Sequence, residues 1–241
     1  MSTDARAADV RAGGEIVEHY HDFGIAAFTT GRQAGSFGLH TDEPVRDVTA
    51  RWAVLRAQLG GPAARLATSS QVHGNHVLHH RGEWRGWLRG EEADGHLTDE
   101  RGTAMAVTVA DCVPVFLAHP SGAAAVLHSG WRGTEARIVQ IAIGQLDALG
   151  FRADDLRLHC GPAICGACYE VSPEVYGRLT GRDVDRPTTV DLRSLIADHA
   201  HELGVREISI STLCTRCDND RFYSHRAGDA GRQLGVIVSP T

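Results

Sequence analysis

The sequence predicts a mixed α/β domain, and three observations predict it. Short runs of β-branched or alternating apolar residues recur along the chain, segments of helical spacing lie between them, and glycines stand where those segments should stop. In order, the strand candidates are residues 24–29, 104–109, 113–117, 123–128, 156–159, 207–211 and 235–238. The helical candidates are residues 45–59, 135–149, 173–179 and 192–203, with Gly60, Gly150 and Gly204 just beyond three of them. His119-Pro120-Ser121-Gly122 parts two apolar runs closely enough for a hairpin, so antiparallel pairing within a mixed sheet is expected. No Gly-x-Gly-x-x-Gly opens a helix after a strand, which leaves a dinucleotide-binding unit without support.

With 241 residues, 42% of them hydrophobic and 22% charged, the chain is long enough to bury a large core. No Pro- or Ser-rich linker and no fixed-period repeat interrupts it, so a single catalytic domain is expected over residues 15–241. Residues 1–14, with scattered charge and small side chains, are expected to form a flexible N-terminal tail. The net charge is -6 and all 24 basic residues are arginines, which argues against nucleic-acid or anionic-membrane partners and favours a small-molecule substrate. The absence of lysine also removes Schiff-base, lysine-base and P-loop chemistry, so any anion must be held by arginine forks, backbone amides or a metal. Six cysteines are too few for a disulfide scaffold of this length, and no apolar run reaches secretory or membrane-spanning size. A cytoplasmic protein is expected, as monomer or homodimer.

Three segments place a metal-competent or nucleophilic side chain beside small residues: Gln71-Val72-His73-Gly74, Ala110-Asp111-Cys112-Val113-Pro114, and Leu127-His128-Ser129-Gly130-Trp131-Arg132-Gly133-Thr134. One thiolate and two imidazoles form a zinc-competent set, and three protein ligands leave a fourth position for water or substrate. The gaps of 39 positions from residue 73 to 112 and 16 from 112 to 128 match no local zinc-finger spacing. On spacing alone, a buried apolar Cys112 and a hydrogen-bonded core His128 are the commoner outcome.

These segments resemble the bacterial YfiH-type laccase-domain family, also described as multicopper polyphenol oxidase-like or peptidoglycan editing factor proteins. The likeness continues through Thr30-Gly31-Arg32, Glu92-Ala93-Asp94-Gly95, Gly161-Pro162-Ala163-Ile164, Cys168-Tyr169-Glu170-Val171, Cys214-Thr215 and Phe222-Tyr223-Ser224-His225-Arg226. The resemblance implies two mixed β-sheets packed face to face between helical layers, as in the cytotoxic necrotizing factor/YfiH-like fold. It implies a Zn2+ site of His73, Cys112 and His128, with copper as the alternative ion. It further implies phosphorolysis of purine nucleosides, hence a purine nucleoside and phosphate as partners, with adenosine deaminase and methylthioadenosine phosphorylase activity. Copper-dependent phenol oxidation and peptidoglycan-precursor editing are the activities implied by other relatives, and a metal-free hydrolase with Cys112 as nucleophile and His128 as base keeps the same fold.

On this reading a bound Zn2+ acidifies a water for attack at C6 of adenosine. Phosphorolysis instead requires an anion beneath the anomeric carbon, and the Gly130 to Thr134 turn entering a helix at Glu135 is expected to offer amides, those of Gly133 and Thr134 among them, and a positive dipole end. Arg32, Arg51 and Arg226 are the expected phosphate or nucleoside contacts, because a planar guanidinium pairs two phosphate oxygens and stays charged. Asp111 is expected to orient a ligand histidine or shuttle a proton. Relatives usually carry asparagine at the positions of Gly38 and Ala50, so this chain lacks two amides that would serve a sugar or base.

Two further patterns remain open. Cys165-x-x-Cys168 and Cys214-x-x-Cys217 form a paired motif of the structural-zinc kind, but its intervening segment is longer than in compact zinc ribbons. Packed thiols or a disulfide are the alternatives. Residues 81–89 mix arginine and tryptophan and are expected to form an exposed loop covering part of the pocket. His76, His79 and His80 are expected to be non-ligands, because a turn at Gly74 presents only the His73 ring.

Overall fold

The computed structural model describes residues 9–60 and 65–239. In chain order its strands are β1 (Glu15–Ile16), β2 (Ala26–Thr29), β3 (Arg65–Ser70), β4 (Val77–His79), β5 (Trp87–Glu92), β6 (Gly95–Thr98) and β7 (Thr103–Val109). They continue with β8 (Val113–Ala118), β9 (Ala124–Ser129), β10 (Arg157–Cys160), β11 (Glu170–Val171), β12 (Thr188–Thr189), β13 (Glu207–Ile210) and β14 (Gln233–Val238). The α-helices are α1 (Val45–Gln58), α2 (Trp131–Glu135), α3 (Ile138–Ala148), α4 (Pro173–Thr180) and α5 (Leu192–Glu202).

Two six-stranded sheets result, ordered β1-β2-β14-β7-β3-β5 and β13-β10-β8-β9-β6-β4, and each mixes parallel with antiparallel pairs. Strand alternation explains how they pack. Along β8, Val113, Val115 and Leu117 face α3 and α5, whereas Phe116 and Ala118 face the other sheet. Along β7, Met105, Val107 and Val109 meet that same intersheet layer, while Ala104 and Ala106 pack under α1 with Trp52 and Leu55. Helices therefore cover both outer faces of a face-to-face sheet pair, the architecture expected from the family resemblance. The His119–Gly122 hairpin is also present, with the His119 amide donating to the Ala123 carbonyl at 2.9 Å between antiparallel β8 and β9. No described helix is long and apolar enough to cross a membrane.

Two sequence expectations need correction. Residues 9–14, expected in a flexible tail, pack instead: Val10 is 4% exposed and its amide donates to Gln58 Oε1 at 3.0 Å. Residues 1–8 lie outside the described residues. The segment around residues 81–89 is not simply an exposed loop, because Trp87 opens β5, pairs with β3 and stacks on Trp52 at 4.7 Å between ring centroids. As an outer strand with three charged side chains in six residues, β5 shows none of the apolar alternation by which β7, β8 and β9 announce themselves.

Next to the sheet core lies a buried imidazole pair with a pH consequence. His80 Nε2 and His96 Nδ1 are 2.9 Å apart, and His96 Nε2 reaches Ser69 Oγ at 3.2 Å. Burial holds both rings neutral, lowering His80 to about 4 and His96 to about 3. The unfolded chain therefore takes up protons below about pH 6.5 that the folded chain refuses, so stability is complete above that pH and is lost as pH falls. A thermal midpoint that drops between pH 6.5 and 4, with the slope reduced in His80→Gln, is the expected result. A midpoint insensitive to pH over that range would contradict a neutral buried pair.

Candidate metal centre

Strand register brings the three distant segments together. Antiparallel β8 and β9 pair Pro114 with His128, which places Cys112, just ahead of β8, beside the end of β9. Antiparallel β6 and β9 pair Gly95 with Leu127, so Asp94, just ahead of β6, meets His128, whose amide donates to the Asp94 carbonyl at 2.7 Å. His73 follows β3 on a turn held by Gln71, whose side chain pairs with the Thr108 backbone through two hydrogen bonds of 2.8 Å. Ligand atoms of His73, Cys112 and His128 all lie within 4.8 Å of one another, and the two imidazole rings meet edge to face at 4.8 Å. The packing there demands a glycine at residue 130. A Cβ at Gly130 would stand 2.8 Å from Cys112 Sγ.

Asp94 is fully buried and organises this centre. Its Oδ1 accepts from His128 Nδ1 at 2.7 Å and from the His73 amide at 2.9 Å. Its Oδ2 accepts from the amides of Val72 at 3.1 Å and Gly74 at 2.7 Å. Three successive amides thus form a nest around one carboxylate. That nest holds His73 at φ 60, a left-handed conformation that costs a non-glycine residue about 1–2 kcal/mol. The strained residue is His73 itself, not Gly74. With Nδ1 engaged, His128 is left to present Nε2 toward Cys112 and His73.

The electrostatics favour a thiolate. Burial alone would raise the Cys112 thiol, but the adjacent His128 charge and hydrogen bonds from His128 and His73 outweigh it and bring it down to about 6. Burial would likewise lower His128, yet the Cys112 thiolate and the Asp94 carboxylate push it up to about 9. Burial also works against the Asp94 charge, and the hydrogen bonds from His128 and the Gly74 and Val72 amides overcome it, holding the carboxyl below its usual value. Sulfur and imidazole nitrogen so arranged are a donor set suited to zinc or copper.

All three side chains line one cavity of about 400 Å3. Its lining residues include Phe37, Trp52 and Trp87, then Thr68, Ser69 and Ser70, and the basic residues His40, Arg89, His225 and Arg232. Arg232 Nη1 donates to the carbonyls of Asp229, Ala230 and Gly231, and among the described residues neither Arg232 nor Arg89 makes an ion pair.

Residues 25–240 match the family described as multi-copper polyphenol oxidoreductase laccase. The chain belongs to this laccase-domain family. Among the relatives of the laccase-domain chain, a protein of Deinococcus radiodurans named purine nucleoside phosphorylase is 35% identical over 234 residues, covering 89% of this chain and 88% of its own length. A Streptomyces coelicolor protein named purine nucleoside phosphorylase is 35% identical over 200 residues, covering 79% and 81%. Among solved structures, YlmD from Geobacillus stearothermophilus superimposes with a TM-score of 0.83 at 27% identity, covering 91% of this chain and 94% of that one. Bacillus licheniformis YfiH shares the fold with a TM-score of 0.84 at 22% identity, covering 97% and 98%.

Several residues expected in the laccase-domain site prove to be occupied elsewhere. Asp111 touches neither ligand histidine; it accepts from Thr215 Oγ1 at 2.6 Å and the Arg226 amide at 2.7 Å, braced at φ 80. Orientation of the histidine falls to Asp94, on the neighbouring strand. Arg32 pairs with Asp229 at 2.7 Å and donates to the carbonyls of Asn219 and Phe222, which pins a loop. Arg51 is held by Glu43 and the Ser36 carbonyl. The Arg226 guanidinium lies over Tyr169 and donates to the Glu170 carbonyl, although its neighbour His225 lines the cavity. Gly133 and Thr134 offer no anion cradle, because α2 begins at Trp131 and not at residue 135. Gly133 packs under the Gly74 carbonyl, while the Thr134 amide donates to Gly130 and its hydroxyl pairs with Ser129. Gly38 does line the cavity, where an added Cβ would meet Thr41 at 2.9 Å and Arg232 at 3.1 Å, whereas Ala50 is exposed on α1. The expected non-ligands His76, His79 and His80 are engaged with Glu92, Asp99 and His96 respectively.

Proposed function

We propose that this chain is a purine nucleoside phosphorylase that holds zinc at His73, Cys112 and His128, with adenosine deaminase and methylthioadenosine phosphorylase activity at the same site. One observation carries the reading: the His-Cys-His set opens into a cavity with both an aromatic wall and basic side chains lacking carboxylate partners. The half-buried Trp87 gives a flat apolar base something to lie against, and Ser70 gives a sugar a hydroxyl partner. Arg89 and Arg232 take the phosphate-binding role in place of Arg32 and Arg51, whose charges are already matched by carboxylates. When bound, zinc supplies Lewis-acid polarisation and acidifies a coordinated water. Asp94 keeps the His128 Nδ1 proton on its own side, so the opposite nitrogen stays a lone-pair donor.

In phosphorolysis a phosphate oxygen bonds to C1′ as the C1′–N9 bond breaks, and the base leaves with the electron pair and takes up a proton. In deamination water adds at C6 and ammonia departs. Metal-replete enzyme incubated with inosine, adenosine and methylthioadenosine is expected to release base only when phosphate is present, and ammonia from adenosine. No base and no ammonia from any of them would overturn the proposal. Arg232→Ala should raise the KM for phosphate about 10- to 100-fold, the equivalent of one charge-assisted hydrogen bond.

A second reading draws on the order Cys112, His128, Asp94, which is that of a thiol-hydrolase triad. His73 separates the two readings. A triad has no use for a second imidazole, so His73→Ala would retain hydrolase activity and leave Cys112 open to rapid iodoacetamide alkylation. The phosphorylase reading instead expects His73→Ala to lose metal and turnover together.

A further inference from the structure

The fold closes a second cysteine cluster, away from the cavity. The loop after β10 carries Cys165 and Cys168, and the loop after β13 carries Cys214 and Cys217; in sequence, β11, α4, β12, α5 and β13 lie between the two pairs. A parallel bridge between Ala163 and Cys214, with the Thr215 amide donating to the Ala163 carbonyl at 3.1 Å, sets the loops side by side. All four sulfurs come within 4.8 Å of one another, and Cys168 and Cys217 Sγ are 3.5 Å apart. Four ligands at the zinc–thiolate distance of about 2.3 Å stand about 3.8 Å from each other at the corners of a tetrahedron, so the cluster has the size of a filled site.

The backbone is also arranged for sulfur ligation. The Cys165 amide points at Cys214 Sγ at 3.3 Å and the Cys217 amide points at the same sulfur at 3.5 Å. Such N–H···S contacts, one within a Cys-x-x-Cys turn and one between the two turns, offset the negative charge that a tetrathiolate retains after binding a divalent ion, and Arg216 beside the Cys168 carbonyl adds a positive charge. Cys214 is buried, Cys165 and Cys168 are half-buried and Cys217 is exposed, so an ion has a path in from solvent.

We propose that Cys165, Cys168, Cys214 and Cys217 form a second, structural zinc site with four thiolate ligands. Its place in the fold gives it a purpose. The two loops it joins also hold Asp111, through the Ile164 amide to the Asp111 carbonyl at 3.1 Å and the Thr215 hydroxyl to its carboxylate at 2.6 Å. Asp111, at φ 80, is the residue directly before Cys112. A metal clamp behind it keeps that strained turn in place and so fixes the cysteine of the cavity site. The proposal does not depend on which reaction the cavity performs.

The test counts metal and thiols in the full chain purified without chelator. In His73→Ala/Cys112→Ala, where the cavity site is emptied, one zinc per chain is expected to remain; none remaining would overturn the proposal. Cobalt-loaded protein of the same variant should show the sulfur-to-metal charge transfer and intense visible bands of tetrahedral thiolate ligation, and adding Cys168→Ser/Cys217→Ser to that variant should abolish these bands with its remaining metal equivalent and lower its melting temperature. Thiol titration of denatured, unreduced, chelator-treated wild type should find all six cysteines. A count of four or two would mean disulfides, and iron in place of zinc would mean a different centre; either result overturns the assignment.

Discussion

Asp94→Asn is expected to weaken metal binding at the cavity site by about 100-fold and to lower turnover to a similar degree, with the fold retained. Loss of a carboxylate behind a ligand histidine typically costs about 10- to 100-fold. This substitution should fall at the upper end because Asp94 supports two ligands at once. An asparagine can keep one oxygen toward His128 and the His73 amide, but its NH2 then faces the amides of Val72 and Gly74, donor against donor. Buried donors left unmatched cost about 1–3 kcal/mol each, enough to release the turn that holds His73 at φ 60. The check is a chelator competition for the cavity metal, with far-ultraviolet circular dichroism to confirm folding. Asp99→Asn is the matched control, since Asp99 contacts His79 and Arg81 and none of the three ligands. Equal losses in the two variants would mean that Asp94 has no special hold on the centre.

The contrast between Asp94 and Asp111 shows what sequence could reveal. The grouping of His73, Cys112 and His128 was legible through the family resemblance, carried by a distinctive small-residue segment around each, and β8 and β9 beside Cys112 and His128 are apolar enough to be recognised. The aspartate assignment followed chain proximity, since Asp111 adjoins Cys112. Register decides otherwise: β6 lies against β9, which puts Asp94 beside His128, and β6 is four residues long with a histidine inside it, too short and too polar to read as a buried strand. The arginines were misjudged for a related reason. A guanidinium in a conserved-looking motif is equally suited to bind substrate or to pin a loop, and only the partners distinguish the two: Asp229 for Arg32, Glu43 for Arg51, no carboxylate for Arg232. Arg89 was hidden on an edge strand whose side chains follow no apolar rhythm. Where a motif reports chemistry intrinsic to a side chain, as thiol and imidazole do, the resemblance named residues that the fold brings together; where the role depends on what stands opposite, it did not.

Cys112→Ala is expected to have the largest effect of any single change. Structural zinc sites with four ligands bind with about 10–16 kcal/mol, roughly 2.5–4 kcal/mol per ligand, so removing one ligand should weaken affinity by about 10²–10³-fold. Here the loss should lie at or beyond the upper figure, because Cys112 is the only anionic ligand of the set and its charge helps hold His128 high, at about 9. Without the thiolate, His128 is left with Asp94 alone as its charged neighbour, and the cavity offers two imidazoles and no anionic donor. Cys112→Ser preserves shape and a hydroxyl but not an anion near neutral pH, so it should behave like alanine in metal affinity. A serine variant that binds as tightly as wild type would show that size and polarity, and not charge, hold the ion. The same variants separate the two metal sites: a chain lacking Cys112 should forfeit the cavity metal and all phosphate-dependent base release, while the thiolate spectrum of the four-cysteine cluster persists.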